Sequence, residues 1–253
     1  MDLAERAGST RRHPWETERA SFLRRLIDHH LDGRTPRRVL DVGAGDGWFA
    51  EELQGETATG SQVVCWDVNY AGADLRTDLP AGVARTVEEP GGSFDLVLLL
   101  DVLEHVEDDA RFLDGSVLPH LAPDGLLVVT VPAYQRLYSS HDRALGHHRR
   151  YSPARLRALL EPRVDVVARG GLFAALLPVR AAQLARERVA GAPDRHGIGG
   201  WTGGPGLTRA LSTALGADAR AGAWLARRGL AVPGLSTWAV CRPLAVGSPG
   251  SRP

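Results

Sequence analysis

The chain contains no lysine: all thirty of its basic residues are arginine, and they balance thirty aspartates and glutamates to a formal net charge of +0. Schiff-base and P-loop lysine chemistry are therefore excluded. A neutral chain also lacks the basic footprint of a general nucleic-acid binder. Cysteine is nearly as scarce. Cys65 and Cys241 are too few for a disulfide framework, and each sits in an apolar, strand-like run that reads as a buried free thiol. The first residues, MDLAERAGSTRRHPWE, carry no apolar stretch of the kind a secretory signal needs. The longest apolar tract, residues 170–185, is interrupted by Pro178 and Arg180 and is too short to span a bilayer. These absences predict a cytoplasmic protein with no stable membrane insertion and no nucleic-acid partner. What is there is ordinary globular composition, 43% hydrophobic and 24% charged over 253 residues, enough for one large α/β domain.

Phe22, Leu23, Leu26, Ile27 and Leu31 recur at helical spacing and predict a helix over Pro14–Leu31, with Pro14 in its first turn and Gly33 and Pro36 ending it. A short buried strand, Arg38–Val42, then runs into Gly43-Ala44-Gly45-Asp46-Gly47 and a helix over 48–53. Further strands are expected at 63–68, weakly at 83–87, and at 94–101, where a near-continuous apolar run reads as a central parallel strand covered on both faces. A helix near 109–118, a Pro123-Asp124-Gly125 turn and a strand over 126–131 follow. Past Pro132 the texture changes to a Tyr-, His- and Arg-rich stretch over 133–151, then a helix opened by Ser152-Pro153 and a strand over 164–168. We expect helices over 170–190 and 207–228, a glycine-rich loop between them, and a last strand over 235–241. Strands alternating with helices predict a doubly wound, mostly parallel sheet.

An acid-ended strand, a Gly-x-Gly-x-Gly turn and a helix make a nucleotide-type site, because glycines let the backbone approach a ligand and the helix start offers free N–H groups. Asp67 ends the second strand twenty residues after Gly47, where a carboxylate accepts hydrogen bonds from both ribose hydroxyls. At VLDVGAGDG (39–47), VVCWDVN (63–69), FDLVLLLDVLEHVEDD (94–109) and LAPDGLLVVTVPAY (121–134) the chain resembles the class I S-adenosylmethionine-dependent methyltransferases. The likeness is strongest to bacterial small-molecule members that carry a segment like HDRALGHHRRYS (141–152). The resemblance implies a Rossmann-like fold, a seven-stranded sheet with helices on both faces, and methyl transfer from S-adenosylmethionine to a small-molecule acceptor, leaving S-adenosylhomocysteine. It implies that Gly43, Gly45 and Asp41 cradle the methionine half, that Asp67 holds the ribose and that Val68 lies on the adenine. Glu88 would meet the adenine amine, Asp101 and Val102 would sit beside the sulfonium, and Arg19 would pair with the cofactor carboxylate. A nicotinamide or flavin Rossmann enzyme is the rival, but its fingerprint wants glycine where this chain has Trp48. A cyclase or lyase on the same scaffold would carry the same cofactor motifs.

Acceptors bind over the carboxyl ends of the strands in such sheets, which places the 134–151 loop at the reaction. His141, beside Asp142, is the expected general base, with His147 and Tyr138 as further catalytic candidates and Tyr134 as an aromatic wall. His105 reads as structural or close to the cofactor. Arg149 and Arg150 would bind an anionic acceptor or pair with carboxylates elsewhere. His141, Asp142 and His147 are also the ligand types of a two-His, one-carboxylate metal site, although their spacing fits no helix face. Four stretches are expected: a cap helix over 14–36, a cofactor-binding core over 37–170, a helical lid over 171–234, and a last strand and tail over 235–253. Trp201, flanked by glycines, either closes over the acceptor or is a plain loop residue. The 172–184 face would alternatively pack in a homodimer or lie on a membrane surface.

Overall fold

The computed structural model describes residues 12–55, 60–75, 79–190 and 201–245. Its strands are β1 (Arg38–Val42), β2 (Gln62–Trp66), β3 (Val83–Thr86), β4 (Phe94–Leu100), β5 (Leu121–Pro132), β6 (Val164–Leu172) and β7 (Ser236–Pro243). They form one sheet in the order β3-β2-β1-β4-β5-β7-β6, and every strand runs the same way except β7, which inserts antiparallel between β5 and β6. The helices are α1 (Pro14–Leu31), α2 (Trp48–Gln54), α3 (Gly72–Leu75), α4 (Asp109–Phe112), α5 (Ser140–Ala144), α6 (Pro153–Leu160), α7 (Leu177–Ala190) and α8 (Pro205–Ala226).

The continuous apolar runs of the central strands follow from burial on both faces. Val39, Leu126 and Val128 join Phe22 of α1, Leu215 of α8 and Trp238 on one side of the sheet. Leu40, Leu127 and Val129 join Leu113, Leu156 and Leu160 on the other. α1 starts in a capping box: His13 Nδ1 accepts from Trp15 N at 3.2 Å, and Glu16 accepts from His13 N at 2.8 Å. It ends where Asp32 and Gly33 turn left-handed. Strand order reverses between β1 and β4, so a crevice opens outside their carboxyl ends, the standard ligand position of such sheets.

Three expectations change. The helix expected over 109–118 narrows to α4, after which Leu113–Val117 widens into a π-helical turn that buries Leu113 and Val117. The helix expected from residue 170 begins only at Leu177, because β6 continues through Gly170 and Gly171 to Leu172. The expected lid also divides. α8 packs along α1 and buries Leu215 and Ala219 in the main core, leaving the 173–190 stretch to face the crevice. Leu172, Phe173 and Leu184 turn into the chain's own core, so the large apolar side chains exposed on α7 are Val179 and Val189. No helix among the described residues is long and apolar enough to cross a membrane.

Candidate active site

The loop after β1 places glycines where L side chains do not go: Gly43, Gly45 and Gly47 have φ of 64°, 56° and 71°. A Cβ on Gly43 would lie 2.6 Å from Val102 Cγ2, so only glycine lets β1 pass the end of β4. Asp67, 8% exposed at the end of β2, ties this loop down. Its Oδ2 accepts from Gly45 N at 2.9 Å, and Oδ1 accepts from Asn69 N at 2.9 Å. Asp46 accepts from Trp48 N at the start of α2 and pairs with the Arg12 guanidinium, which lies over the Trp48 ring. Next to Asp67, the Val68 side chain is 73% exposed at the wall of the crevice, an apolar surface offered to a ligand.

Across the crevice, Asp101 leaves β4 with φ of 57°, a strained conformation for a non-glycine residue. Arg19 of α1 and Thr130 of β5 hold it. The Arg19 guanidinium meets Asp101 Oδ2 at 2.8 Å and donates to Thr130 Oγ1 at 2.6 Å, and Thr130 donates in turn to Asp101 Oδ1 at 3.0 Å. Arg19 Nε is buried without a hydrogen-bond partner among the described residues. An orphaned guanidinium donor beside a glycine cradle suits an anionic ligand group. Gly43, Gly45, Asp67, Val68, Asp101, Val102 and Arg19 all border one cavity of about 680 Å³.

Two residues expected at this site lie elsewhere. Asp41 is 3% exposed within β1, paired in register with Cys65 and Leu98, and does not line the cavity. Burial, with Asp67 and Asp46 nearby, pushes its carboxyl up to about 7. Since the unfolded chain ionises near pH 4 and the fold holds the proton until about 7, Asp41 lowers stability as pH rises across that window. Asp41→Asn is therefore expected to gain about 2–3 kcal/mol relative to the native chain between pH 5 and pH 8, measured by urea unfolding; a constant difference would show that Asp41 is ionised in the fold throughout. Glu88 is exposed, its N–H donating to Thr86 Oγ1 at 3.0 Å, and it stands outside the cavity lining because the chain turns away after the short β3.

The far end of the cavity is built by α5 and the residues after it. His141, His147 and Arg150 line it. Burial, with the positive charges of Arg180 and Arg150, lowers the His141 pKa below its ordinary value against the pull of Asp142, so its imidazole is neutral at pH 7. Asp142 is fully buried beneath. It accepts from Ser139 N at 2.9 Å, His147 Nδ1 at 2.9 Å and Arg150 Nε at 2.6 Å. Burial would raise its pKa, but those donors hold it well below the carboxylate range.

The other aromatic and cationic candidates are engaged in structure. Tyr138 donates its hydroxyl to the His147 carbonyl at 2.6 Å and does not line the cavity, and Tyr134 faces a separate cavity of about 320 Å³ beside Trp238. Arg149 clamps the 106–109 turn through Val106 O, Glu107 O and Asp109. His148 is exposed, with its N–H on Glu104 O. Trp201 donates to Thr208 Oγ1 and stacks edge-on against His13, away from the cavity lining; the rest of the preceding glycine-rich loop, residues 191–200, lies outside the described residues.

Glu104 is a functional candidate that sequence reading passed over. It is 1% exposed, borders the cavity, and burial with the nearby Asp101 charge raises its pKa well above the ordinary range. Its sequence signal is an acid beside His105, set between the apolar residues Leu103 and Val106. The alternative trio of metal-ligand types, His141, Asp142 and His147, is not assembled, because the Asp142 oxygens are committed to Ser139, His147 and Arg150. Among the described residues, the His, Cys and acidic side chains that do converge are those of Glu104, His105 and His147.

A sequence family described as a methyltransferase domain matches residues 15–163. A ubiquinone biosynthesis O-methyltransferase from Sinorhizobium medicae (strain WSM419) is 29% identical over 133 residues, covering 46% of this chain and 52% of that protein. Another from Rhodopseudomonas palustris (strain HaA2) is 39% identical over 101 residues, 36% of this chain and 38% of that protein. The chain thus spans about half the length of the first curated relatives it matches. Among solved structures, a coclaurine N-methyltransferase bound to N-methylheliamine and S-adenosylhomocysteine superposes with a TM-score of 0.52 at 13% identity, covering 90% of this chain and 71% of that one. The cyclase SpnF does so with a TM-score of 0.52 at 18% identity, covering 89% and 80%. These likenesses show the shared fold.

Proposed function

The chain belongs to the methyltransferase-domain family, and from that premise we propose that it transfers a methyl group from S-adenosylmethionine to a small-molecule acceptor in the 680 Å³ cavity. The observation that carries this reading is the cradle itself. Gly43 admits no Cβ, Gly45 N is held at the Asp67 carboxylate, and Arg19, whose buried Nε has no hydrogen-bond partner among the described residues, borders the same cavity. When bound, the cofactor supplies a sulfonium methyl whose C–S bond breaks as the acceptor atom forms the new bond, leaving S-adenosylhomocysteine.

Asp67 would accept from the ribose hydroxyls, Val68 would cover one face of the adenine, and Arg19 would meet the carboxylate. Asp101, fixed by Arg19 and Thr130, would set the negative charge near the positive sulfur. Displacement of this kind is mainly a matter of alignment and exclusion of water. Leu176, Arg180 and Gln183, around α7, border the cavity and would roof the acceptor, the part of the expected lid that this reading keeps. Neutral His141 would take the proton that the acceptor's oxygen or nitrogen loses. The free, buried thiols of Cys65 and Cys241 fit a reducing, cytoplasmic setting.

Calorimetric titration with S-adenosylmethionine and S-adenosylhomocysteine tests the reading. Micromolar binding of both is expected, and binding of neither to a folded chain would remove it. Asp67→Ala should weaken both by about 1–3 kcal/mol, the scale of an unpaired buried hydrogen-bonding group. An unchanged Kd would take Asp67 out of the ribose site.

A further inference from the structure

We propose that Glu104, His105 and His147 hold a divalent transition-metal cation at the acceptor end of the cavity, and that this cation binds an oxygen of the acceptor. The proposal rests on the methyl-transfer reading for the identity of the acceptor, but the cation site stands on its own geometry. One ligand atom from each residue, a carboxylate oxygen of Glu104 and an imidazole nitrogen of each histidine, lies within 4.8 Å of the other two, and all three residues border the cavity. The His105 and His147 rings meet edge to face at 4.6 Å. Metal–ligand bonds of about 2.0–2.2 Å put ligand atoms roughly 3–3.5 Å apart, so small side-chain rotations close the set.

Two further observations point to a ligand. Glu104 Oε2 is buried with no hydrogen-bond partner among the described residues, in a side chain 1% exposed. A buried polar oxygen without a partner is costly, and it persists where something else is to be bound. Behind His147, the buried Asp142 takes the Nδ1 side of the ring at 2.9 Å and leaves Nε2 for a metal. A carboxylate behind a ligating histidine fixes the tautomer and ring orientation, as in known metal centres. Arg150 and Ser139 hold that carboxylate in turn, so the orienting shell is rigid.

Two imidazoles and one carboxylate suit zinc, cobalt, iron or manganese better than magnesium or calcium, which favour all-oxygen sets. Three protein ligands leave at least one position open toward the cavity. An acceptor bearing a hydroxyl would take that position, which orients its oxygen and makes it the more acidic. The substrate class is therefore a hydroxylated small molecule, methylated on oxygen.

The test uses Co²⁺ as the probe and the full chain without a histidine tag. Titration of the metal-free protein should give visible d–d absorption saturating at one Co²⁺ per chain, displaced by Zn²⁺. Glu104→Gln, a near-isosteric change, and His147→Ala should each weaken Co²⁺ binding at least tenfold while S-adenosylhomocysteine binds them as it does the unaltered chain. No Co²⁺ spectrum in the unaltered protein would overturn the proposal, as would equal Co²⁺ affinity in both variants. If the unaltered chain binds Co²⁺ in this way but not S-adenosylhomocysteine, the cation site stands and the methyl-transfer reading falls.

Discussion

Asp142→Ala is expected to destabilise the fold by about 3–5 kcal/mol, the cost of leaving a buried charge without its partner. The carboxylate is fully buried and receives donors from three directions: the Ser139 backbone N–H, the His147 ring and the Arg150 guanidinium. Arg150 is itself only 8% exposed. Its guanidinium also donates to the Ala133 carbonyl at 3.5 Å, a neutral acceptor that does not cancel its charge. Alanine would strand that cation, unsatisfy the Ser139 N–H and free the His147 ring. The pH dependence has a definite sign. Asp142 has a depressed pKa in the fold, so its contribution is complete above the unfolded value near 4 and is lost as pH falls through that region. The gap between the native chain and Asp142→Ala should therefore be full at pH 7 and shrink steadily below pH 4. Urea unfolding at constant m-value would measure it; a gap under about 1 kcal/mol at pH 7 would mean that Arg150 finds another anion.

Asp142 also shows where a sequence ceases to be readable. The glycine loop, Asp67 and the alternating strands were legible because their determinants are local: a turn that needs positive φ, an acid at a strand end, and an apolar run covered on both faces. β6 runs past residue 168, where the strand was expected to end, through Gly170 and Gly171, which the apolar 170–190 stretch assigned to a helix. In the fold they are packing sites. A Cβ on Gly170 would lie 2.6 Å from the Trp238 ring, and one on Gly171 would lie 2.4 Å from the Val232 carbonyl. Residues more than sixty positions away make those glycines strand residues. The same holds for the acceptor site. Glu104 and His105 are neighbours in sequence, but His147 joins them only because the chain crosses back after α5, with His148 N–H on the Glu104 carbonyl at 2.7 Å. Adjacency places His141 beside Asp142, and the fold adds what adjacency does not show: the Asp142 oxygens accept from Ser139, His147 and Arg150.

His141→Ala is expected to lower turnover by about 10²–10⁴, the usual contribution of a positioned general base, with S-adenosylmethionine affinity unchanged. The argument rests on charge state and place together. His141 borders the cavity on α5, and desolvation keeps its imidazole neutral at pH 7, so it can accept a proton where a solvated histidine would be partly charged. His147 is engaged otherwise: its Nδ1 meets Asp142 at 2.9 Å and its ring packs edge to face against His105. Because the fold lowers the His141 pKa, the native enzyme should hold a flat rate through neutral pH and lose activity only as pH falls below the ordinary histidine range. His141→Ala should remove that acid limb, and His141→Gln, which keeps a hydrogen-bonding side chain but cannot take a proton, should not restore the rate. The comparison is made under saturating cofactor, with product formation followed as S-adenosylhomocysteine release. A native rate in both variants would leave alignment, and the acidity of the acceptor itself, as the whole source of catalysis.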